Sequence, residues 1–507
     1  MNIWESDVLR RLWERPYVNQ RILAEACGFS LGMANRCLKN LKEEGYLDEG
    51  FRLTKRAEDE ILARRPRNAV ILAAGFGMRM VPINMEVPKA FLEVEGEALI
   101  ERIIRQLHEA GISEIYVVVG YMKERFDCLI DRFGVRLIVN PDYAVKNNLC
   151  SLRRVEKYLA NTYIVPCDIW CAENPFSACE LYSWYMVSDR KEEGSPVRVN
   201  RKAELVTVPE DEKGNAMVGI SYLLEEDAGR LKKQMGSLLG KKGGESLFWE
   251  AALWDRGKMT VRARTVRKEA VAEINTYEQL RELDGNSSQL QSDKLQAAAA
   301  ALGVSMEEIT GILALKKGMT NRSFLFSCRG KAYIMRVPGE GTGRLIDRRE
   351  EAAVYRVVRG KGICEDVISI DPDTGYKVSH FIGDARTCDP ENPVETAACM
   401  KKLREFHGLS LKTDHEFDLF GHIDFYESLW DGRSSAYEDY RQTKAHVWAL
   451  RPFIEGQAGE RALAHIDAVP DNFLLFENGK GEEEIRLIDW EYAAMQDPHV
   501  DIAMFCI

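Results

Sequence analysis

The sequence lacks the long apolar segments and the cysteine spacings that mark several protein classes. No run of about 18 apolar residues occurs, and the start, Met1 to Arg11, lacks the apolar region of a signal peptide. The twelve cysteines form no CxxC pair, and Cys167 and Cys171 have no second pair or histidine at zinc spacing. We therefore expect a cytoplasmic protein without membrane association, whose cysteines are reduced core residues.

A surplus of positive charge is also missing. The chain has 69 Lys and Arg against 80 Asp and Glu, a formal net charge of -11, which argues against a nucleic-acid coat protein but leaves room for a local basic patch. Its 507 residues exceed what one hydrophobic core supports, so the length predicts about three domains. The sequence pattern predicts domains at 1–66, 67–284 and 297–507, with a polar linker at 285–296.

The first 66 residues have the pattern of a small helical domain. We predict helices near 5–13, 19–26 and 30–44, followed by two short strands at 45–47 and 51–54 around a wing. This order resembles the winged helix-turn-helix modules of bacterial regulators, which implies DNA as a partner. The third helix would then face a major groove with Asn35, Arg36, Lys39 and Asn40. A docking or dimerisation domain is the alternative, because the basic surplus is small.

A glycine-containing loop follows the first apolar run of the second domain. Ala69 to Ala73 predict a buried strand, and the residues after it allow the backbone to approach a polyphosphate closely. Arg79 and Lys89 supply positive charge to the same loop. An ordinary tight turn is the alternative interpretation.

This loop carries a family resemblance. The string from Leu72 to Arg79, with Pro82 and Pro88-Lys89, resembles the signature of nucleotidyltransferases that join an NTP to a phosphorylated sugar or alcohol. The string Asn147 to Leu152 resembles the CTP:phosphocholine cytidylyltransferases in particular, although an Asx-rich turn capping a helix is its alternative reading. The resemblance implies an α/β nucleotidyltransferase domain with a Rossmann-like mixed sheet and catalytic Lys89 and Arg79. It also implies CTP contacts from Leu72, Ala74, Gly75, Gly77, Gly120, Asn148 and Ser151.

A carboxylate follows the apolar strand that begins at Tyr163. In the family such a residue, here Asp168, helps to hold Mg²⁺, a hard cation that prefers oxygen ligands. Where the family carries a Glu-Ile-Asp-Thr string, this chain has Glu273-Ile274-Asn275-Thr276. The resemblance therefore implies metal ligands at Asp168, Glu273 and Asn275, with one negative charge fewer.

A choline ammonium group is best recognised by aromatic faces and a nearby carboxylate. Each candidate wall residue could equally be a core aromatic. The candidates for the phosphocholine pocket are Tyr121, Trp170, Tyr222 and Trp249.

The third domain carries a second set of motifs. A small-residue turn at 318–323 precedes a strand that ends at Arg336-Val337-Pro338, and His465-Ile466-Asp467, Asn472 and Ile488-Asp489 follow much later. This set resembles choline kinases and implies a protein kinase-like α+β phosphotransferase. In that family Asp467 would accept the hydroxyl proton, and Asn472 and Asp489 would hold Mg²⁺. ATP would contact Thr320, Asn321, Arg336 and Glu351, and choline would contact Trp490, Glu491 and Tyr492.

Choline kinase-like proteins continue through further helices beyond the point where this chain stops, at Ile507. The resemblance therefore implies either a truncated chain or an incomplete alcohol pocket.

The two resemblances together imply a bifunctional enzyme. The kinase would make phosphocholine from choline and ATP, and the cytidylyltransferase would convert it with CTP to CDP-choline and pyrophosphate. Ethanolamine, an aminophosphonate or a sugar phosphate are alternatives to choline. A DNA-binding regulator that senses choline metabolites through degenerate enzyme domains is an alternative of another class, favoured by the winged helix and by Asn275.

Overall fold

The computed structural model divides the chain into two compact units, residues 1–291 and 292–507. It describes residues 1–77, 80–209, 211–315, 321–339, 341–457 and 459–507. Within these ranges no helix has the length and apolarity needed to cross a bilayer. All twelve cysteines have free thiols.

The first unit begins with four helices. Side-chain caps from Asn19 and Ser30 start the second and third of them, as the sequence pattern predicts. A single antiparallel bridge between Leu47 and Leu53 forms the base of the wing. The helices are α1 (Ile3–Glu14), α2 (Gln20–Cys27), α3 (Leu31–Glu43) and α4 (Lys55–Arg64).

The exposed face of α3 differs from the prediction at one position. Asn35, Arg36 and Lys39 are exposed, whereas the Asn40 amide donates to Glu5 Oε1 on α1 at 2.8 Å. The Asn40 side chain therefore links α3 to α1, and its assignment to the groove-facing set was wrong.

An α/β domain follows in the same unit. Its helices are α5 (Leu99–Glu109), α6 (Asp127–Phe133), α7 (Asn148–Arg153), α8 (Glu225–Leu239) and α9 (Tyr277–Leu283). Its strands are β1 (Asn68–Ala73), β2 (Glu93–Val94), β3 (Glu97–Ala98), β4 (Ile115–Val119), β5 (Arg136–Val139), β6 (Thr162–Pro166), β7 (Ile169–Cys171), β8 (Trp184–Glu192), β9 (Val197–Val199), β10 (Glu204–Thr207), β11 (Gly214–Leu223), β12 (Trp254–Asp255), β13 (Lys258–Val266) and β14 (Val271–Glu273).

The main sheet is mixed, in the order β5-β4-β1-β6-β11-β8-β13-β10-β9, with β12 on β13. β5, β4, β1 and β6 are parallel, and β11 is antiparallel to β6. Alternate residues of β1 face two cores: Ile71 packs on the side of α5, and Val70 packs on the side of α7 and α8. The loops after β1, β4 and β6 consequently meet at one edge of the sheet, where ligands of such sheets bind.

The winged helix shares its core with the α/β domain. Cys179 and Leu181, from the segment between β7 and β8, are buried among the apolar residues of α1 to α4. Polar contacts reinforce this packing: the Tyr182 hydroxyl donates to Asp7 at 3.0 Å, and Arg64 donates to the Leu181 carbonyl at 3.0 Å.

The second unit is a two-lobed kinase-like fold. Its elements are α10 (Asp293–Leu302), β15 (Thr310–Ala314), β16 (Asn321–Cys328), β17 (Lys331–Pro338), α11 (Arg348–Val358), β18 (Val367–Ile370), β19 (Lys377–His380), β20 (Arg386–Thr387), α12 (Pro393–Gly408), α13 (Leu419–Ser428), α14 (Tyr440–Ala449), α15 (Arg451–Gln457), β21 (Ala462–Ala464), β22 (Phe473–Glu477), β23 (Glu483–Leu487), β24 (Ala494–Gln496) and α16 (His499–Phe505). The first lobe is an antiparallel sheet ordered β15-β16-β17-β19-β18, against which α11 packs. Short strand pairs and helices form the second lobe.

The segment predicted as a linker, 285–296, contains a short helical turn at Ser288–Leu290 and the first residues of α10. The Gln289 amide donates to the Phe91 carbonyl at 2.9 Å, and the Ser287 hydroxyl donates to the Glu93 carbonyl at 3.0 Å, so this part packs on the first unit. The exact domain boundaries remain predictions.

A buried ion pair lies where the winged helix meets the α/β domain, and its loss should destabilise the first unit. Glu180 accepts two hydrogen bonds from Arg264, at 2.8 and 2.7 Å, and others from Tyr163 and Trp184. Glu180→Gln leaves the Arg264 charge uncompensated, so we expect urea unfolding to show a free energy of unfolding lower by about 3 kcal/mol.

The exposed pair of Glu212 and Arg198, at 2.7 Å, provides the control. Glu212→Gln should change the same free energy by less than about 1 kcal/mol. Equal losses for the two variants would contradict a structural role for the buried pair.

Candidate functional sites

The predicted glycine loop borders a cavity of about 460 Å³ at the carboxyl edge of the sheet. Gly77 has φ +68°, and a Cβ there would lie 3.3 Å from the Lys89 stem, so glycine lets the loop and Lys89 pack together. The predicted nucleotide contacts that line this cavity are Leu72, Ala74, Gly75, Gly77, Asn148 and Ser151.

Gly120 leaves room for the side chain of Tyr143. A Cβ at Gly120 would lie 2.7 Å from the Tyr143 side chain and 2.8 Å from the Ala74 carbonyl. Tyr143 itself lines the cavity. Glycine at this position therefore allows an aromatic wall to close against the loop.

Asn148 and Ser151 combine structural contacts with cavity positions. Asn147 caps α7, Asn148 Oδ1 accepts from the Trp249 amide at 2.8 Å, and Ser151 accepts from Asn140 at 3.0 Å. Lys146 also lines the cavity and pairs with Glu245 at 2.9 Å. In the sequence, Lys146 stands out only by its place directly before the Asn147-Asn148 string.

Three predicted residues converge next to the cavity. Lys89 Nζ donates to Asp168 Oδ2 at 2.5 Å and to Asn275 Oδ1 at 2.6 Å. The antiparallel pairing of β7 with β14 brings them together, because Asp168 precedes β7 and Asn275 follows β14. Two oxygens from distant parts of the chain thus point at a single cationic group.

Two further carboxylates lie near Asp168. Partial burial and repulsion from Asp168 raise the pKa of Glu273. Burial raises the pKa of Glu250 to about 7, and Glu273 and Asp168 add to the rise. Glu250 accepts from the Tyr185 hydroxyl at 3.2 Å, and its Oε2 is buried without a hydrogen-bond partner. The sequence analysis did not select Glu250, although this residue directly follows the candidate Trp249.

This donor set suits a hard cation that is also held by substrate oxygens. Asp168 and Asn275 already place two oxygens around the Lys89 ammonium, and Glu273 stands on the adjoining strand. Within the described residues, no group of three or more His, Cys, Asp or Glu could hold a metal ion alone. Mg²⁺ commonly uses one or two carboxylates together with substrate phosphates, so the arrangement fits that mode.

Most of the predicted choline walls prove to be core residues. Tyr222 is fully buried and donates its hydroxyl to the Arg64 carbonyl, and Trp249 is 2% exposed against Tyr185. Tyr121 is buried, with its hydroxyl on the Asn84 carbonyl. Assigning these three to a ligand was wrong, because apolar packing already covers their rings. Trp170 keeps solvent contact, with the Arg102 guanidinium 5.2 Å from its ring.

A second cavity, of about 370 Å³, lies within the kinase-like unit. It is lined by Asn321 and Arg336, which we predict to contact ATP, by Asp489, which we predict to hold the metal, and by Glu365 and Lys377, which the sequence analysis missed. The sequence signal for Lys377 was weak, because it is the first residue of the short strand β19.

Arg336 is held by a buried network of charges. Its two terminal nitrogens donate to the two oxygens of Glu351, and Nη2 also donates to the Gly375 carbonyl at 2.9 Å. Arg348 donates to Glu351 at 2.9 Å and to Glu491 at 3.2 Å. The predicted pairing of Arg336 with Glu351 is therefore present in the structure.

The predicted phosphotransfer residues lie on neighbouring loops. The Asn472 amide donates to the Asp467 carboxylate at 3.0 Å, and the Ile488 amide donates to the Asn472 carbonyl at 3.0 Å, one residue before Asp489. Asp501 accepts from the backbone amides of residues 465 and 466 and so fixes the Asp467 loop. These contacts bring Asp467 and the predicted metal ligands into one region of the second lobe.

Of the three predicted choline contacts in this unit, Tyr492 is partly exposed and lies close enough to Asp467 to be influenced by its charge. Burial and nearby acidic groups, Asp467 among them, raise the pKa of Tyr492 to about 12. Burial and the Asp467 charge also raise the pKa of Tyr426 on α13. Trp490 is fully buried against Phe406 and His465. Glu491 accepts from Arg348 and Asn321. Trp490 and Glu491 were wrongly assigned to choline, because the core and the charge network occupy them.

Two predicted residues, Arg79 and Thr320, lie outside the described residues.

Family models match three consecutive parts of the chain. They are a winged helix-turn-helix DNA-binding model at 5–48, a MobA-like NTP transferase domain at 69–218 and a choline/ethanolamine kinase model at 312–507. Enzymes of the two latter families generally use divalent metal ions.

Curated relatives agree with the central match. A choline-phosphate cytidylyltransferase of Streptococcus pneumoniae is 30% identical over 230 residues, which is 43% of this chain and 96% of that protein. A 2-aminoethylphosphonate cytidylyltransferase of Lancefieldella rimae is 30% identical over 233 residues, 43% of this chain and 92% of that protein. Among solved structures, the choline kinase LicA of Streptococcus pneumoniae is 30% identical, with coverage of 42% of this chain and 74% of that chain, at a TM-score of 0.37.

The chain belongs to the cytidylyltransferase family represented by choline-phosphate cytidylyltransferase, fused to a choline/ethanolamine kinase domain and preceded by a winged helix-turn-helix domain.

Proposed function

We propose that the protein makes CDP-choline in two steps in the cytoplasm. The second unit transfers phosphate from ATP to choline, and the first unit transfers CMP from CTP to phosphocholine and releases pyrophosphate. The observation that carries the proposal is the convergence of Lys89, Asp168 and Asn275 beside the glycine-loop cavity. The free thiols of all twelve cysteines support a reducing compartment.

In the transferase step, a phosphate oxygen of phosphocholine attacks the α-phosphorus of CTP, and the bond to pyrophosphate breaks. Lys89 would stabilise the charge that develops on the phosphates. A triphosphate gives Lys89 a new partner, which leaves the oxygens of Asp168 and Asn275 available for Mg²⁺. The cation, when bound, supplies positive charge to the phosphate oxygens.

Glu250 is our candidate for recognition of the ammonium group. Its buried Oε2 has no hydrogen-bond partner, and the protein compensates the charge poorly, as the raised pKa shows. A quaternary ammonium cannot donate a hydrogen bond but attracts a carboxylate and aromatic faces. Trp170, with its partly exposed ring two residues after Asp168, is the remaining aromatic candidate.

In the kinase step, Asp467 would orient the choline hydroxyl towards the γ-phosphate of ATP and accept its proton. Asn472 holds the Asp467 carboxylate at 3.0 Å. Asn472 and Asp489 would hold Mg²⁺, and Tyr492 with Tyr426 would border the alcohol.

Ethanolamine, an aminophosphonate or a sugar phosphate remain alternative substrates. The similarity to a 2-aminoethylphosphonate cytidylyltransferase favours the aminophosphonate among them.

Pyrophosphate release tests the proposed reaction. We expect the purified protein to release pyrophosphate with CTP and phosphocholine, and to do so much more slowly with UTP, phosphoethanolamine, 2-aminoethylphosphonate or glucose 1-phosphate. Asp168→Ala should reduce this rate by at least about 100-fold, because the cation loses its charged ligand, and should spare choline phosphorylation. Asp467→Ala should have the reverse effect. A faster rate with another alcohol phosphate would overturn the choline assignment.

Glu250→Gln should weaken phosphocholine binding selectively. We expect KM for phosphocholine to rise about tenfold, while KM for CTP stays within about twofold. In the wild type, protonation of Glu250 as pH falls through about 7 should also raise KM for phosphocholine, since only the carboxylate attracts the ammonium. The ratio of variant to wild-type KM should therefore shrink between pH 8 and pH 6. A ratio independent of pH would exclude Glu250 from this role.

DNA binding through the winged helix is a second proposed function. The exposed side chains of Asn35, Arg36 and Lys39 on α3 favour it, because the polar contacts with the α/β domain come from α1 and α4. The regulator alternative combines this DNA contact with ligand binding but no turnover in the enzyme domains.

Removal of the two basic residues on α3 tests the DNA contact. The double variant Arg36→Ala/Lys39→Ala should bind a duplex from the region upstream of its own gene at least about tenfold more weakly in fluorescence anisotropy at fixed salt. The exposed pair Lys241→Ala/Lys242→Ala removes the same charge elsewhere and should have little effect. Equal losses in both variants would indicate nonspecific attraction.

A further inference from the structure

A third cavity, of about 340 Å³, lies between the winged helix and the α/β domain. One wall comes from α1, through Asp7 and Arg10, and the other comes from β7, β8, β13 and β14 with the segment that follows β7. Among the described residues, none that lines this cavity also lines the glycine-loop cavity. It is therefore a separate space, within the size range of small-molecule pockets.

Arg10 in the wall of this cavity has unused hydrogen-bond donors. Its Nε is buried and has no partner among the residues that the structure describes. Its terminal nitrogens lie 3.9 Å from the carboxylates of Asp7 and Glu14, which is too far for a hydrogen bond. A guanidinium carries five donors in a planar fork that matches a phosphate or a carboxylate, so Arg10 is suited to an anionic group.

Arg264, the other basic residue of the wall, already has a partner. Its terminal nitrogens donate to the two oxygens of the buried Glu180, at 2.8 and 2.7 Å. The charge of Arg264 is therefore compensated within the protein. Arg10 is the basic side chain of the described wall that remains available to a ligand.

Two carboxylates of the same wall are poorly compensated. Asp7 accepts from the Tyr182 hydroxyl at 3.0 Å, and burial raises its pKa although Arg10 and Arg264 attract its charge. Glu173 is exposed in the wall and forms no ion pair within the described part of the chain. These two carboxylates would repel a ligand that is only an anion, whereas an added positive charge would compensate them.

A ligand with one charge of each sign satisfies both sets of groups. We propose that this cavity binds a small zwitterion, with a phosphate or carboxylate group on Arg10 and an ammonium group against Asp7 and Glu173. Tyr182 lies in the same wall and supplies an aromatic side chain, which suits an ammonium group. The proposal goes beyond the two reactions assigned above and does not depend on either of them.

The position of this cavity connects it to the transferase site. Cys171 and Val271, which line it, are paired at one end of β7 and β14. Asp168 and Asn275 lie at the other end of the same strand pair, where both accept from Lys89. A bound zwitterion would thus contact α1 of the winged helix and a strand pair that ends at the candidate metal site.

Equilibrium dialysis of the full-length protein with radiolabelled phosphocholine and with radiolabelled glycine betaine tests this site. The double variant Arg10→Gln/Glu173→Gln should bind one molecule fewer per chain than the wild type at saturation, because both charged contacts are lost. Thr265→Trp, at an exposed position of the same wall, fills the cavity, keeps both charges and should have the same effect. The double variant Arg15→Gln/Glu269→Gln removes the same charges at exposed positions outside the wall and should bind as the wild type does.

The two ligands identify the anionic group. A difference with betaine shows that a carboxylate suffices, and a difference with phosphocholine alone shows that a phosphate is required. The difference should persist in a Glu250→Gln background, which separates this site from the phosphocholine pocket proposed for the transferase. Thermal midpoints within about 3 °C of the wild type would show that the variants are folded.

Equal binding of both zwitterions by the wild type and by the two cavity variants would overturn the proposal. An equal difference with inorganic phosphate alone or with choline alone would also overturn it, because the second charge of the ligand would then be unnecessary.

Discussion

The candidate transferase site depends on a lysine ammonium shared by two oxygens from distant parts of the chain. Lys89 follows the glycine loop, whereas Asp168 and Asn275 lie at the same end of the antiparallel pair of β7 and β14. The Lys89 charge compensates Asp168, which lies close enough to Glu273 and Glu250 to raise the pKa of both.

The kinase-like unit also places basic side chains next to buried carboxylates, in a larger set of residues. Arg336, Arg348 and Lys377 are buried next to Glu351, Glu365, Glu491 and Asp489. Arg336, Lys377, Glu365 and Asp489 all line the cavity, so the buried charges of this set balance there. The contact of Arg348 with Glu491 joins α11 of the first lobe to the segment after β23 in the second lobe.

Local sequence pattern predicted those features that local geometry determines. The loop from Leu72 to Gly77 lines its cavity because strand, glycine and turn follow one another directly in the chain. The sequence could not show whether Tyr222 and Trp249 belong to the core or to a ligand pocket, because an aromatic ring packs in either place through the same apolar surface. Both are buried. The sequence analysis did not identify Lys377 and Glu365. They meet only in the folded chain, where Glu365, just before β18, accepts from Lys377, the first residue of β19 twelve residues later.

The shared core of the winged helix and the transferase has a consequence for how the first unit folds. Cys179 and Leu181 are buried only where the four helices cover them, and the same two side chains complete the helical core. Neither part therefore has a finished apolar interior by itself. The winged helix is thermodynamically a piece of the transferase, and a change that loosens one should be felt in the unfolding of the other.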